Sequence, residues 1–353
     1  MNPPPRRHPG GGAHAYSVRV TPAPSRHRIA LAAGVVAAVV GGATMALQSL
    51  LNGRLALTVD DAVGAALISF GSGAVLVSVV TAALPAHRAA WRRMGVALRE
   101  RAVPRWYLVA GLMGTLVVFS QAATVAHVGV ARFTVALVVG QVISGLVVDR
   151  VGFAGVAPRT LGRTRVAGAA LMVVAAVVSV LSRNPDAGTG SLALLLLPLV
   201  AGSLISVQLA CNGALARAAG VVWPATWANF VVGTTALALA YGATRIGSPR
   251  GWGLTLHGPW WLYLGGTLGV AFVALQARLV SLLGALLLGL AGISGQLLGG
   301  LVLAVVVPGA GHASAGTVIG TVVAVAAVAL GAWRRGERVR PRPADAESAP
   351  HPQ

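Results

Sequence analysis

Long uninterrupted runs of apolar residues recur along almost the whole chain, and they constrain the fold more than any other feature. A hydrocarbon core about 30 Å thick is crossed by about 20 residues of α-helix, whose backbone groups are all bonded within the span. The chain is 56% hydrophobic and only 10% charged, whereas soluble domains are about 25% charged. The pattern therefore predicts an all-α integral membrane protein.

Ten segments are long and apolar enough to be predicted as transmembrane helices. They are residues 29–52, 62–84, 106–127, 132–149, 165–182, 192–213, 222–243, 260–280, 284–306 and 315–333. Outside them, residues 1–28 and 334–353 are rich in proline and arginine. Such compositions cannot bury a core, so both tails are predicted to be disordered.

Arginine is distributed unequally between alternate connections. With the N-terminus in the cytoplasm, 22 of the 27 basic residues fall on the cytoplasmic side, six of them in the long connection 85–105. This positive-inside pattern predicts that both chain ends are cytoplasmic and that the number of spans is even. The charges lie in tails and connections, so the net charge of +19 does not indicate a nucleic-acid partner.

The two halves of the chain repeat each other. "QSLLNGRLA" at 48–56 and "QLACNGALA" at 208–216 share Q-x-x-x-N-G-x-L-A at an offset of 160 residues, and "GQVISGLVV" at 140–148 aligns with "GQLLGGLVL" at 295–303 at an offset of 155. Each half holds five predicted spans, an odd number, so the second half must enter the membrane in the opposite sense. We expect a 5+5 inverted-topology repeat, with halves 29–182 and 192–333 joined by a linker at 183–191. That architecture is typical of secondary transporters.

These motifs resemble those of the drug/metabolite transporter (DMT) superfamily, and within it the YdcZ-type inner-membrane exporter family. The resemblance covers residues 29–333, the whole predicted membrane part. It implies the ten-helix fold of that superfamily (DMT/EamA-like), a multi-pass location in the cytoplasmic membrane, and transport, with export suggested by the family name. Many relatives are single five-span halves, so this chain resembles a fused two-repeat form.

Amide side chains inside the predicted spans are the candidate substrate-binding groups. Gln48 and Asn52 lie four residues apart and so share one helix face, and the repeat places a second such pair in the sixth span. Alternatively, each Asn-Gly step is a helix C-cap and each glutamine holds neighbouring helices together. The candidates are Gln48, Asn52, Gln121, Gln208, Asn212, Asn229 and Gln276.

A second group of polar residues lies beside glycines in the fourth and ninth spans. Gln141 follows Gly140, and Gln296 follows Gly295. These residues are predicted to hold the two spans together, because small residues let helices approach closely, or to line a cavity between them.

The acidic residues all lie away from the centres of the predicted spans. The resemblance to small multidrug exporters of the same superfamily therefore does not extend to their intramembrane glutamate, which serves proton coupling. No cofactor-binding or metal-binding motif and no catalytic arrangement stands out. An enzyme is not predicted.

The favoured hypothesis is a secondary transporter of a small uncharged or zwitterionic metabolite or drug-like solute, working by alternating access. A facilitative channel or uniporter is the first alternative, since it needs no coupling carboxylate. A non-transporting membrane scaffold is the second. The expected partners are the lipid bilayer and an unidentified solute, and the chain is expected to act as a monomer or homodimer.

Overall fold

The computed structural model describes residues 24–83, 86–155, 158, 163, 166–171, 173–174, 193–246, 248, 253, 256–311 and 315–333. Every regular element in this part of the chain is helical. The helices are α1 (Pro24–Val59), α2 (Ala62–Ala83), α3 (Ala86–Arg99), α4 (Gly111–Val128), α5 (Val130–Val151), α6 (Leu196–Ala219), α7 (Trp223–Arg245), α8 (Gly265–Val306) and α9 (Ala315–Trp333). Short 3-10 turns over Arg105–Ala110 and Trp260–Leu264 lead into α4 and α8.

Six helices in the described residues are long and apolar enough to cross a membrane. They are Arg28–Val59, Ala62–Ala83, Arg105–Val128, Val130–Val151, Leu196–Ala219 and Leu288–Val306. Helix α7 has the length of a span but contains Trp, Asn and Thr residues that lower its hydropathy. Most of the predicted fifth span and the predicted linker lie outside the described residues, as do residues 1–23 and 334–353.

Helix α8 is one helical run of 42 residues where the sequence predicted two spans. Leu275 and Gly292 lie 17 residues apart, which is about 25 Å along a straight helix. However, Leu275 lies against Gly41 of α1, and Gly292 lies against Gly42, the next residue. The chain must therefore double back within α8, so that two legs pack along α1. Leu283 lies against Gly34 of α1 and Gly292 lies against Gly42, so the reversal falls between Leu283 and Gly292.

Repeat-related glycines make equivalent close contacts between the two halves. A Cβ atom on Gly42 would stand 2.8 Å from the carbonyl carbon of Gly292 in α8. Gly202 in α6 is the repeat partner of Gly42, and a Cβ there would stand 2.8 Å from the carbonyl carbon of Leu137 in α5. Leu137 is itself the repeat partner of Gly292. Each half therefore makes the equivalent contact with the other half.

A second pair of repeat-related glycines makes equivalent contacts with the opposite half. Gly295 in α8 lies against the backbone of Val39 in α1, and its repeat partner Gly140 in α5 lies against the backbone of Leu199 in α6. Val39 and Leu199 are also repeat partners. When residue i touches j and the partner of i touches the partner of j, the two halves are related by a two-fold rotation.

The direction of the two-fold axis follows from the pair α2 and α7, which are repeat partners. Asp61 at the start of α2 contacts Arg245 at the end of α7, whereas Ser78 near the end of α2 accepts a hydrogen bond of 2.9 Å from Trp227 near the start of α7. The two helices therefore run antiparallel. Equivalent helices run antiparallel only when the two-fold axis is perpendicular to them. The axis passes close to Phe70, whose ring centre lies 5.2 Å from that of its own repeat partner, Phe230.

Candidate functional site

Both Asn-Gly steps lie inside helices and not at their ends. The sequence allowed each step to be a C-cap, but α1 continues from Asn52 to Val59 and α6 continues from Asn212 to Ala219. The C-cap interpretation is therefore wrong. In the first half, glycine at position 53 lets α1 and α4 pack closely, because a Cβ on Gly53 would stand 2.8 Å from the Cβ of Val125 in α4.

Asn52 and Gln121 form a buried pair between α1 and α4. The amide Nδ2 of Asn52 donates to Oε1 of Gln121 at 2.7 Å, and both residues are 0% exposed. The remaining atoms of the two amides, Oδ1 of Asn52 and Nε2 of Gln121, have no hydrogen-bond partner among the described residues. A buried polar atom without a partner is costly, so this pair can accept a further ligand or water.

Two more buried polar side chains surround this pair. A Cβ on Gly265 of α8 would stand 2.8 Å from Oγ of Ser69 and 3.2 Å from Cγ of Asn52. One helical turn further along α8, a Cβ on Gly269 would stand 3.2 Å from Nε2 of Gln48. Oγ of Ser69 and Oε1 of Gln48 also lack partners in the described part of the chain. We call the four residues Gln48, Asn52, Ser69 and Gln121 the first amide cluster.

The repeat partners of these four residues are Gln208, Asn212, Asn229 and Gln276. We call them the second amide cluster because of this equivalence, although α6, which carries Asn212, and α8, which carries Gln276, make little contact in the described part of the chain. Gln208 lies against Gly114 of α4, because a Cβ on that glycine would stand 2.6 Å from Nε2 of Gln208. Asn229 lies against Gly111 of α4, where a Cβ would stand 2.8 Å from the Cα of Asn229. Their repeat counterparts are the contact of Gly269 with Gln48 and the contact of Gly266 with the backbone of Ser69. The second cluster is more open, since Gln208, Asn212 and Gln276 are half-buried. Oδ1 of Asn212 has no partner among the described residues.

The different burial of the two clusters predicts different effects of removing their asparagines. Asn52→Ala leaves the fully buried Gln121 without its partner, and we expect the free energy of unfolding to fall by about 1–3 kcal/mol. Asn212→Ala, at a half-buried position, should cost less than about 1 kcal/mol. The single cysteine, Cys211, is buried, so a thiol-reactive dye reports thermal unfolding. Equal melting temperatures for the two variants would contradict the prediction.

Gln141 and Gln296 were predicted to hold the fourth and ninth spans together. In the structure, the glycines beside them, Gly140 and Gly295, face the first helix of the opposite half instead of each other. The backbone oxygen of Gln141 accepts a hydrogen bond of 2.9 Å from Ser206 of α6. Helices α5 and α8 do meet, but through an apolar cluster that includes Val135, Val138 and Leu297.

An ion pair that the sequence reading missed joins the halves at one end of α2 and α7. Asp61 contacts Arg245, and the other Asp61 oxygen accepts a hydrogen bond of 2.9 Å from the backbone N–H of Gly64. The guanidinium also lies 4.5 Å from the ring centre of Tyr241. The repeat counterparts of Asp61 and Arg245 are Val221 and Pro85. Neither counterpart carries a charge, so the ion pair is not repeated in the sequence. Comparing the two repeats could therefore not have found it.

Two cavities adjoin the α2–α7 pair. One of about 310 Å³ lies at the ion pair and is lined by Asp60, Asp61, Ala62, Thr244, Arg245 and Ser248. The other, of about 390 Å³, lies further along the same helices and is lined by Ala74, Val231, Thr234, Thr235, Ala238 and Leu239. Neither cavity is lined by residues of the amide clusters.

Apolar helices of spanning length, two-fold related halves and buried amides define the class of this molecule. It is a helical membrane protein whose two halves are related by a two-fold axis. The chain belongs to the family described as "Putative inner membrane exporter, YdcZ", which matches residues 33–178 and again residues 193–332. No curated protein matches the chain.

Membership of this family confirms the resemblance that the repeated motifs indicated. The protein is therefore a multi-pass inner-membrane protein, and its family is described as one of membrane exporters.

Proposed function

We propose that the protein is a secondary transporter that exports a small uncharged or zwitterionic solute by alternating access. In this proposal ten spans form a 5+5 inverted-topology repeat, with halves 29–182 and 192–333 and both chain ends in the cytoplasm. The ion pair Asp61–Arg245 then lies on the outer side, and the contact of Ser78 with Trp227 lies on the inner side.

The reciprocal contacts between the halves are the observation that carries this proposal. A two-fold axis perpendicular to α2 and α7 lies in the membrane plane if those helices cross the bilayer. Halves related in this way enter the membrane in opposite senses, and a substrate site between them can be exposed to either side by the same motion. A protein that only anchors or assembles others has no need for such halves.

The unequal packing of the two amide clusters supports alternating access. In any single state of such a transporter, repeat-related residues occupy different environments, because one side is closed while the other is open. The Asn52–Gln121 bond is buried on the proposed outer side, while Asn212 and Gln276 on the inner side are half-buried. Exchange of these two environments would expose each cluster in turn.

Neutral amides and hydroxyls suit a solute that offers hydrogen-bonding groups without a net charge. Desolvating a charged solute would require an opposite charge in the site, and the side chains of both clusters are uncharged. A uniporter stays an alternative to a coupled carrier, because the acidic residues lie away from the centres of the predicted spans. Proteoliposome uptake with and without a pH gradient distinguishes the two.

We expect Gln48→Ala and Gln208→Ala each to lower transport by about tenfold, the effect of losing about 1.4 kcal/mol of hydrogen bonding to the solute. Proteoliposomes with reconstituted protein are incubated with a defined mixture of amino acids, nucleosides, sugars and neutral drugs. The accumulated solutes are then identified by mass spectrometry. Gly289→Ala, at an exposed helix position with open space around it, serves as the matched control.

Transport at the parental rate in both glutamine variants would remove these residues from the solute path. If the parental protein moves no solute in the mixture while remaining folded, a non-transporting scaffold becomes the better account.

A further inference from the structure

The longest connection of the first half contains a helix, α3 (Ala86–Arg99), whose two faces differ sharply. Ala90 is 0% exposed and Met94 is 4% exposed. They pack in a cluster with Cys211, Leu215 and Ala219 of α6. This apolar face fixes α3 against the end of the bundle that carries the Arg-rich connections.

Three arginines form a stripe on the opposite face of α3. At 3.6 residues per turn, Arg88, Arg92 and Arg99 fall within about 40° of one another, and all three are exposed. Val96 lies beside the stripe and is 50% exposed. Within the described part of the chain, no hydrogen bond or ion pair engages these three guanidinium groups. We call Arg88, Arg92 and Arg99 the α3 stripe.

Other arginines of the same connection are used within the protein. Nε of Arg93 donates to the carbonyl oxygen of Ala219 at 2.8 Å, which satisfies the end of α6. Nε of Arg105 is 3.5 Å from the carbonyl oxygen of Leu98. The arginines of α3 therefore divide into Arg93, which stabilises the fold, and a stripe directed away from the protein.

Among the described residues, α3 has no helical counterpart in the second half. At the offset of 160 its counterpart is residues 246–259, whose described residues are not helical and whose only arginine is Arg250. The requirement for positive charge on the cytoplasmic side explains arginines in this connection. It does not require an ordered helix that collects three of them on one face beside an exposed valine.

We propose that the α3 stripe is a binding surface for the headgroups of anionic phospholipids in the membrane that surrounds the protein. An amphipathic helix at the membrane surface that presents arginines beside an exposed apolar side chain fits the boundary between headgroups and acyl chains. Guanidinium groups pair with phosphate oxygens in a forked geometry, and basic residues next to a membrane span are attracted to anionic lipid. This inference does not depend on transport.

Native mass spectrometry of the full-length protein tests the inference, with phosphatidylglycerol and phosphatidylcholine of identical acyl chains as probes. The parental protein should retain phosphatidylglycerol preferentially. Since each basic residue near an anionic surface strengthens binding roughly fivefold, the triple variant Arg88→Gln, Arg92→Gln, Arg99→Gln should lose at least about tenfold in apparent affinity for that lipid. Binding should also weaken as salt is raised, because screening shortens the reach of exposed charges.

The matched control removes the same charge elsewhere on the proposed cytoplasmic side. The variant Arg6→Gln, Arg7→Gln, Arg19→Gln should retain the lipid preference, and inorganic phosphate at millimolar concentration should not displace the lipid. If the triple variant of α3 does not fold, Arg92→Gln alone must show the loss. Equal retention of both lipids by the parental protein, or an equal loss in the two triple variants, would overturn the proposal.

Discussion

Replacing Asp61 with alanine is expected to lower the free energy of unfolding by about 3–5 kcal/mol. The substitution leaves the guanidinium of Arg245 inside the protein, where that residue is only 7% exposed, without the carboxylate that compensates its charge. It also removes the oxygen that accepts the backbone N–H of Gly64 at the start of α2. A buried charge whose partner has been deleted is among the most destabilising defects known for single substitutions.

The neighbouring carboxylate provides the control for this prediction. Asp60 is exposed, so Asp60→Ala should change the free energy of unfolding by less than about 1 kcal/mol. The charge-reversed protein, Asp61→Arg with Arg245→Asp, should recover part of the stability lost by either single reversal. Thermal unfolding of each variant is followed by dye labelling of Cys211. Similar melting temperatures for Asp61→Ala and Asp60→Ala would show that the ion pair does not hold the halves together.

Adding one methyl group at Gly295 is expected to destabilise the protein by about 3 kcal/mol or more. A Cβ there would stand 2.6 Å from the carbonyl carbon of Val39, a backbone atom of α1 that cannot move aside as a flexible side chain can. Two helices that pack along much of their length would have to separate. In a membrane, close backbone approach at small residues supplies much of the association energy between helices.

Gly289 is the matched control, because it lies in the same helix and a Cβ there meets nothing within 4 Å. Gly289→Ala should be neutral or stabilising by up to about 1 kcal/mol, since alanine favours the helix over glycine. The two-fold relation further requires that Gly140→Ala, the repeat equivalent, costs about as much as Gly295→Ala. A Gly295→Ala variant that melts at the same temperature as Gly289→Ala would mean that α1 and α8 do not pack this closely.

Much of the architecture could be predicted because it depends on local and periodic features of the chain. The length of an apolar run relates directly to the bilayer thickness. The motifs around Asn52 and Asn212 indicated both the duplication and the family, and the family is confirmed. The helix period placed Gln48 and Asn52 on one face, and both are buried in the structure. The proposed count of ten spans stays a prediction, since six helices in the described part of the chain are long and apolar enough to cross a membrane.

Other features could not be predicted because they depend on which distant segments meet. Asp61 and Arg245 are 184 residues apart, and each appeared in the sequence as an ordinary residue at a span end. An Asn-Gly step favours a turn in isolation, yet α1 continues through Gly53 because α4 packs against that side. The arginines of the connection 85–105 are evident from the sequence. Its fold as a helix with one buried face depends on contact with α6.

The sequence by itself determined that the chain enters a membrane, that its halves are duplicated, and which amides lie within the apolar segments, because these follow from residue type and spacing. Only the tertiary structure decided which glycines touch backbone, which carboxylate pairs with which guanidinium, and which amide cluster is closed. Those outcomes depend on contacts between helices that are far apart in the chain. A backbone approach of a few ångströms or a buried charge pair is set by the packing of both partners together.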